Sequence, residues 1–197
     1  MNHDDIKNDG NPVPGTTRLV SLPVAPSNIF HFPDGLPAFE YVHEFVLLCP
    51  PDIMPFFIMQ ALEPKDLTFV CIDPFLVCPG YSPVISEADV KALNLVRREE
   101  VFLFSVVTVR KNMGEITANL QAPVVINIQT GIGRQILCLE KNHPVRYPLM
   151  NALSRLNEQD QTQSIPQAGK EASARILWPQ NRAHRQQPVA LASVKAS

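Results

Sequence analysis

The fold of this chain is decided by Val101-Phe-Leu-Phe-Ser-Val-Val-Thr-Val109 and, after a charged turn, by Ile116-Thr-Ala-Asn-Leu-Gln-Ala-Pro-Val-Val-Ile-Asn127. β-Branched and aromatic residues fit a pleated surface, so the first run predicts a strand over 101–109. Its consecutive apolar residues predict burial on both faces, which places this strand at the centre of a sheet. Pro123 has no N–H for a strand ladder, so it should break the chain before a second strand over 124–129.

Two amide side chains, Asn119 and Asn127, lie at the edges of these apolar runs. A buried amide needs hydrogen-bonding partners. The nearest unpaired groups are those of the backbone around the proline-interrupted link. We therefore expect both asparagines to bond to backbone atoms. This pattern indicates a β-rich core and carries no information about catalysis.

The remaining elements follow from turn and capping residues on both sides of this core. Helix initiation is predicted at Ser86, a capping residue followed three positions later by Asp89, and the helix should run to about Leu95. Strands are predicted over 28–32, 44–49, 55–62, 67–72, 81–85 and 135–140, with a further edge strand possible over 18–22. The predicted fold class is mainly β, a compact antiparallel barrel-like or sandwich-like domain with one short helix.

Composition shifts divide the chain into three parts. Residues 1–27 contain several prolines with polar neighbours and predict a flexible lead-in. Residues 28–149 form the predicted β domain. Residues 150–197 are polar and predict a disordered tail, with a possible short helix at 149–157. Trp178, the only tryptophan, lies in an apolar cluster of that tail, where it either docks on a partner or on the body, or has no role.

Charge and hydropathy limit the classes of function. Of the 197 residues, 45% are hydrophobic and 18% charged, and no apolar run is long enough to span a membrane. The first residues lack a basic and an apolar region, so we expect no secretory signal and a cytoplasmic location. Residues 1–150 carry 11 Lys/Arg and 16 Asp/Glu, a balance of −5. Such an acidic body is a poor direct binder of nucleic acid. It is compatible with a basic protein partner, and equally with the charge that ordinary solubility requires.

Catalytic, cofactor and metal motifs are incomplete wherever they begin. His43-Glu44 starts a zinc motif, but Leu47 stands where the second histidine is required. Gly131-Ile-Gly133 leads into a predicted strand and not into the helix of a dinucleotide site. The four cysteines form no CxxC pair, so buried free thiols are expected. We therefore predict a binding protein without enzymatic activity, cofactor or metal.

Four ordered segments resemble the FliW family of bacterial flagellar assembly factors. Thr117–Asn127 resembles the family's most distinctive segment. Ile29–Glu40 is similar to its F-P-x-G-L-P-G-F-E pattern, and departs from it at Ala38, where the family usually has glycine. Pro55–Gln60 with Leu67–Pro74, and His143–Leu149, resemble two further motifs. The resemblance covers roughly residues 28–149. If the family's glycine has positive φ, Ala38 would be strained there.

This resemblance implies a small cytoplasmic β-barrel-like protein that binds flagellin and the RNA-binding translational regulator CsrA. Binding would remove CsrA from the flagellin transcript, by an allosteric route in this family, and flagellin would compete for the same protein. No membrane association or direct nucleic-acid binding is implied, and we expect a monomer when free. The motif positions are the candidate protein-binding residues: Gly35, Leu36, Pro37, Phe39, Asn119, Pro123 and Asn127. Most of them can also be explained by architecture alone, as a turn, a break or a buried amide.

Two other classes of function stay open at this point. A β-barrel enzyme or small-molecule binder with an unrecognised site predicts a deep pocket lined by convergent polar groups with perturbed pKa values. A generic interaction module would instead bind through the tail that contains Trp178.

Overall fold

The computed structural model describes residues 25–110, 116–139, 143–162, 175–176 and 189–192. The predicted strand over 18–22 and Trp178 lie outside these residues. The strands are β1 (Phe30–His31), β2 (Glu44–Cys49), β3 (Phe57–Ala61), β4 (Thr68–Ile72), β5 (Val84–Ile85), β6 (Val101–Val109), β7 (Ile116–Ala118), β8 (Val124–Asn127), β9 (Gly133–Gln135), β10 (Tyr147–Pro148), β11 (Arg175–Ile176) and β12 (Ala190–Leu191). The helices are α1 (Pro74–Val77), α2 (Glu87–Ala92) and α3 (Met150–Thr162).

Ten of these strands form one antiparallel sheet, curled into a half barrel. Its main path runs β1-β2-β3-β4-β6-β7-β10, while β8 joins β6 to β9 and β11 pairs with β2. The two remaining described strands, β5 and β12, form a separate parallel pair. The predicted mainly β, antiparallel fold class is confirmed.

Strand β6 lies at the centre of the sheet, as its sequence predicts, and it has the predicted bounds. It pairs with β4, β7 and β8. Leu103 points into a cluster packed with the helices, whereas Phe102 and Phe104 point into a cluster rich in phenylalanine. Both faces of the strand are therefore buried. Ser105 is fully buried, and its hydroxyl has no hydrogen-bond partner within the described part of the chain.

The link between β7 and β8 shifts the register along β6. Val107 pairs with Ala118, and Phe104 pairs with Val124. Val107 and Phe104 are three residues apart on β6, whereas their partners Ala118 and Val124 are six residues apart. The link over 119–123 therefore contains three residues more than an uninterrupted strand would need. Pro123 ends the link directly before β8, in agreement with the predicted break.

Helix α2 confirms the predicted capping. The Ser86 Oγ accepts a hydrogen bond from the Asp89 N–H at 3.1 Å and donates to Asp89 Oδ2 at 2.6 Å. Val90 and Leu93 are buried, as predicted. The sequence did not predict α1, whose first turn is capped by Asp73 Oδ1 accepting from the Phe75 N–H at 2.9 Å. α3 ends at Thr162, beyond the 149–157 predicted.

The prediction of a last strand over 135–140 was wrong. The structure instead has β9 over Gly133–Gln135. At Gly133 the ring of Phe32 lies where a Cβ would be, which leaves room only for glycine. After β9 the chain bonds to the irregular link instead of to a strand. The N–H groups of Ile136 and Cys138 donate to the carbonyls of Pro123 and Gln121 at 3.0 and 2.9 Å.

Candidate functional site

The loop over 33–40 connects β1 to β2 and contains four of the seven candidate residues. Gly35 has φ +64°, and a Cβ there would lie 2.6 Å from Glu40 Cα. Leu36 and Phe39 exchange backbone hydrogen bonds of 3.4 and 2.7 Å across a tight turn. Pro37, at the tip, is exposed. The geometry of this loop accounts for its glycine without any ligand.

Ala38 adopts the backbone conformation for which the family's pattern has glycine. Its φ is +70°, in the left-handed region that L-residues disfavour. Its N–H donates to Glu40 Oε1 at 2.9 Å, which offsets part of this strain. The side chain of Phe39 is half-buried and packs edge-to-face on Phe69, with ring centroids 5.3 Å apart. Within this loop the side chain of Pro37 is therefore presented outward, whereas Leu36 is buried.

A shared arginine ties this loop to β9 and to α2. Arg134 Nη1 lies 2.9 Å from Asp34 Oδ2, and Arg134 Nε lies 3.3 Å from Asp89 Oδ1. One guanidinium can serve two carboxylates because its donors form a rigid fork. Asp34, the carboxylate between Pro33 and Gly35, thus helps to position the loop.

Asn127 is a structural amide at the end of β8. It is 1% exposed, and its Nδ2 donates to the carbonyls of Leu93 and Asn94, both at 3.0 Å. Its Oδ1 accepts from the N–H groups of Gln129 and Thr130 at 2.9 and 3.4 Å. The side chain therefore fastens the end of α2 to the turn before β9. For this residue the expected bonding to backbone atoms is confirmed.

Asn119 and Pro123 lie at the other end of β8, in the link. Asn119 Oδ1 accepts from the Ala122 N–H at 3.0 Å, and its own N–H donates to the Val106 carbonyl at 3.0 Å. The side chain is half-buried. Pro123 is buried, and its carbonyl accepts from Ile136. The seven candidates thus divide between the two ends of β8 and do not form one site.

Exposed aliphatic side chains gather around the link. Cys138 bonds to Gln121 in both directions, through its N–H and through its carbonyl, and Leu120 donates its N–H to the Pro144 carbonyl at 3.1 Å. These bonds bring segments 137–139 and 143–145 to either side of the link. Leu137, Leu139 and Val145 are 66%, 57% and 60% exposed. We call these three residues together with 119–123 the link surface.

The inner side of the link surface is rigid. The Tyr81 hydroxyl donates to the Leu120 carbonyl at 2.9 Å, and the His143 ring packs edge-to-face on Tyr81 with centroids 4.6 Å apart. His143 Nε2 is buried and has no hydrogen-bond partner within the described part of the chain. A pre-ordered backbone with exposed aliphatic side chains suits protein binding, because little entropy is lost on association.

Sequence reasoning missed Leu137, Leu139 and Val145. It treated 135–140 as a strand inside the body, and Ile136-Leu-Cys-Leu139 is apolar at every position. Nothing in such a run distinguishes buried from exposed residues. In the structure, Ile136 and Cys138 are buried and the two leucines between and after them are exposed.

Perturbed pKa values occur away from this surface. Burial raises the pKa of the Cys71 thiol far above its usual range, as expected for an inert core cysteine. Burial also acts to raise the pKa of Glu100. Donation from the Val96 and Arg97 N–H groups and from the Arg97 side chain outweighs it, so the pKa of this carboxyl lies below its usual value. Both shifts have structural causes.

A shallow cavity of about 430 Å³ lies beside α3. It is lined by Tyr147, Pro148, Asn151, Ala152, Ser154 and Arg155. None of the groups with a shifted pKa is among these residues. No His/Cys/Asp/Glu group suited to a metal ion occurs among the residues that the structure describes. In the same residues, no helix is long and apolar enough to cross a membrane.

Known proteins are similar to this chain in sequence and in fold. The family model described as FliW protein matches residues 14–149, thus including residues that the motif comparison left outside. The flagellar assembly factor FliW of Geotalea uraniireducens is 34% identical over 161 residues, 78% of this chain and 98% of that protein. That of Desulfitobacterium hafniense is 37% identical over 136 residues, 69% of this chain and 90% of that protein. A crystal structure of the flagellar assembly factor FliW superposes with a TM-score of 0.61 at 31% identity, covering 65% of this chain and 89% of that chain.

Proposed function

Since this chain belongs to the FliW family, we propose that it acts in flagellar assembly by binding flagellin and the translational regulator CsrA. In this proposal the free protein holds CsrA away from the flagellin transcript. Newly made flagellin competes for it and releases CsrA, so translation follows the level of free flagellin. The family match over the body of the chain is the observation that carries this proposal.

The site with the best properties for such binding is the link surface. It combines exposed aliphatic side chains with a backbone held from inside by Tyr81. The surrounding body is acidic, with a charge of −5 over residues 1–150, which favours a basic partner such as an RNA-binding protein. We further infer that the protein works in the cytoplasm, as a monomer when free, without contacting RNA itself.

An enzymatic function is not part of this proposal. FliW is a family of flagellar assembly factors and not a family of enzymes, and this chain is not an enzyme. The domain limits of 28–149 for the body and 150–197 for the tail remain predictions. Within residues 150–197 the structure describes α3, β11 and β12.

Titration calorimetry of the full chain against CsrA and flagellin from the same organism tests the proposal. We expect the wild type to bind both proteins, and flagellin to displace CsrA. A double variant, Leu137→Ser with Leu139→Ser, should lose at least about tenfold in affinity for one partner, because apolar contacts at the centre of an interface dominate binding. Val96→Ser is the matched control, since Val96 is 69% exposed at the other end of β8.

The possible outcomes separate the function from the surface. If the wild type binds neither protein, the proposed function is wrong. If the wild type binds both and the double variant binds them equally well, the function stands and the link surface is not the contact. Thermal unfolding of each variant should change little, because all three positions are exposed.

A further inference from the structure

The C-terminal segment 189–192 adds a strand to the body of the protein. β12 pairs in parallel with β5, with Ala190 opposite Val84 and Leu191 opposite Ile85. The Ala190 N–H donates to the Pro83 carbonyl at 3.1 Å, and the Ala192 N–H donates to the Ile85 carbonyl at 2.9 Å. Within the described residues β5 pairs with no other strand. The edge of β5 is thus occupied by a segment from beyond residue 149, where the family match ends.

The segment packs on the body of the protein through alternate side chains. Val189 is 5% exposed and belongs to the helix-side core cluster, together with Tyr81 and Ile85. Ala190 is exposed, and Leu191 packs half-buried on the same cluster. A groove that offers backbone acceptors beside an apolar wall recognises an extended segment with aliphatic residues at every second position. This is the chemistry of an edge-strand peptide site.

The contact is small in relation to the freedom that it removes. Within residues 189–192, Val189 is buried, Leu191 is half-buried and Ala190 is exposed. The conformational entropy lost in ordering four residues is comparable to what this burial returns. Twelve residues, 177–188, separate the segment from β11, which pairs with β2. Because the segment belongs to the same chain as the groove, its binding is intramolecular, and a weak contact stays occupied.

We propose that the edge of β5 is a docking groove for an extended aliphatic segment of a partner protein, and that residues 189–192 occupy it in cis as a displaceable plug. The partner's segment enters as a parallel strand, with one aliphatic side chain in the pocket of Val189 and the next in the place of Leu191. The partner's segment must therefore compete with residues 189–192 for the groove, which lowers its apparent affinity. This groove is distinct from the link surface and does not depend on flagellin or CsrA.

The test uses the full chain and a fluorescent peptide with the sequence Pro-Val-Ala-Leu-Ala-Ser, identical to residues 188–193. In Val189→Asp a carboxylate replaces the buried valine, and burying that charge is unfavourable, so the plug should leave the groove. Anisotropy should show saturable binding to this variant at least about tenfold tighter than to the wild type, where the tethered copy competes. Ala190→Asp is the matched control: it adds the same charge at an exposed position and should bind the peptide as the wild type does.

Hydrogen exchange of the wild type keeps the test independent of the variant's folding. The amides of Ala190 and Ala192 should exchange at least about tenfold faster than that of Leu103 in β6, because plug release is local opening. Excess peptide should accelerate their exchange further. Exchange of these amides at the rate of β6 would mean that the segment is an integral part of the core, and would overturn the proposal. A folded Val189→Asp protein that binds the peptide no better than the wild type would also overturn it.

Discussion

The two ends of β8 are built in different ways. At the end marked by Asn127, side-chain hydrogen bonds and ion pairs hold together α2, the turn before β9 and the loop over 33–40. At the end marked by Asn119, backbone bonds join three segments, single side-chain bonds of Tyr81, Asn119 and Gln121 support them, and aliphatic side chains remain outside. Where polar side chains are used up in internal bonds, a motif is explained by architecture. Where aliphatic side chains stay exposed beside a hydrogen-bonded backbone, they are available to a partner.

The largest expected effect is a loss of stability that differs between variants of the two asparagines. Asn127→Ala leaves the carbonyls of Leu93 and Asn94 and two N–H groups without this partner, and should lower the free energy of unfolding by about 3 kcal/mol. Asn119→Ala removes one local hydrogen bond of a half-buried side chain and should lower it by about 1 kcal/mol. Urea denaturation of both variants measures the difference. Equal losses would show that the two ends are not built differently.

The loop over 33–40 provides the next effect. Gly35→Ala would place a Cβ against the backbone of Phe39 and Glu40 at positive φ, and should cost about 2 kcal/mol of stability. Ala38→Gly is the opposite control at φ +70°, where relief of strain should stabilise the protein by about 0.5 kcal/mol. Thermal unfolding distinguishes the two. A stabilising Gly35→Ala would contradict the geometry of the loop.

The smallest effect depends on pH. The pKa of Glu100 is lowered in the folded protein, so its carboxylate contributes stability above its ordinary value of 4.5, and this is lost as pH falls through the folded pKa. Glu100→Gln should cost about 1 kcal/mol at pH 7, and the difference from the wild type should shrink below about pH 4.5. Denaturation of both proteins, repeated in steps of about one pH unit between pH 3 and pH 7, measures this difference in stability. A difference that does not vary with pH would show that the charge is unimportant.

Sequence reasoning predicted local structure where a single residue determines it. The bounds of β6, the Ser86 cap and the break at Pro123 follow from residues that act on their own backbone. It did not predict the bounds of β9, nor the packing of Gly133 against the ring of Phe32, which lies more than 100 residues earlier in the chain. It also missed the exposure of Leu137 and Leu139, because exposure depends on which segments lie nearby and not on the run itself. The pairing of β12 with β5 had no local signal at all.

The family resemblance selected the seven candidate residues, and the structure shows what surrounds each of them. Gly35 and Asn127 have complete architectural explanations, from a positive φ and from buried hydrogen bonds. Pro37 keeps an exposed side chain, and Asn119 lies within the link surface. Whether any of the seven residues contacts a partner stays a prediction, for which the link surface now supplies the first variants to make.

The three extra residues of the link have a consequence for how this segment can change. Ala118 and Val125 belong to the same core cluster although seven positions separate them, an odd number that an uninterrupted strand would not allow. The link therefore exchanges the odd- and even-numbered positions that face this core cluster. A slip of the pairing between β8 and β6 by one residue would turn the aliphatic side chains of β8 to the wrong faces. Because the link lies outside the strand ladder, we expect it to accept a change in its own length without such a slip.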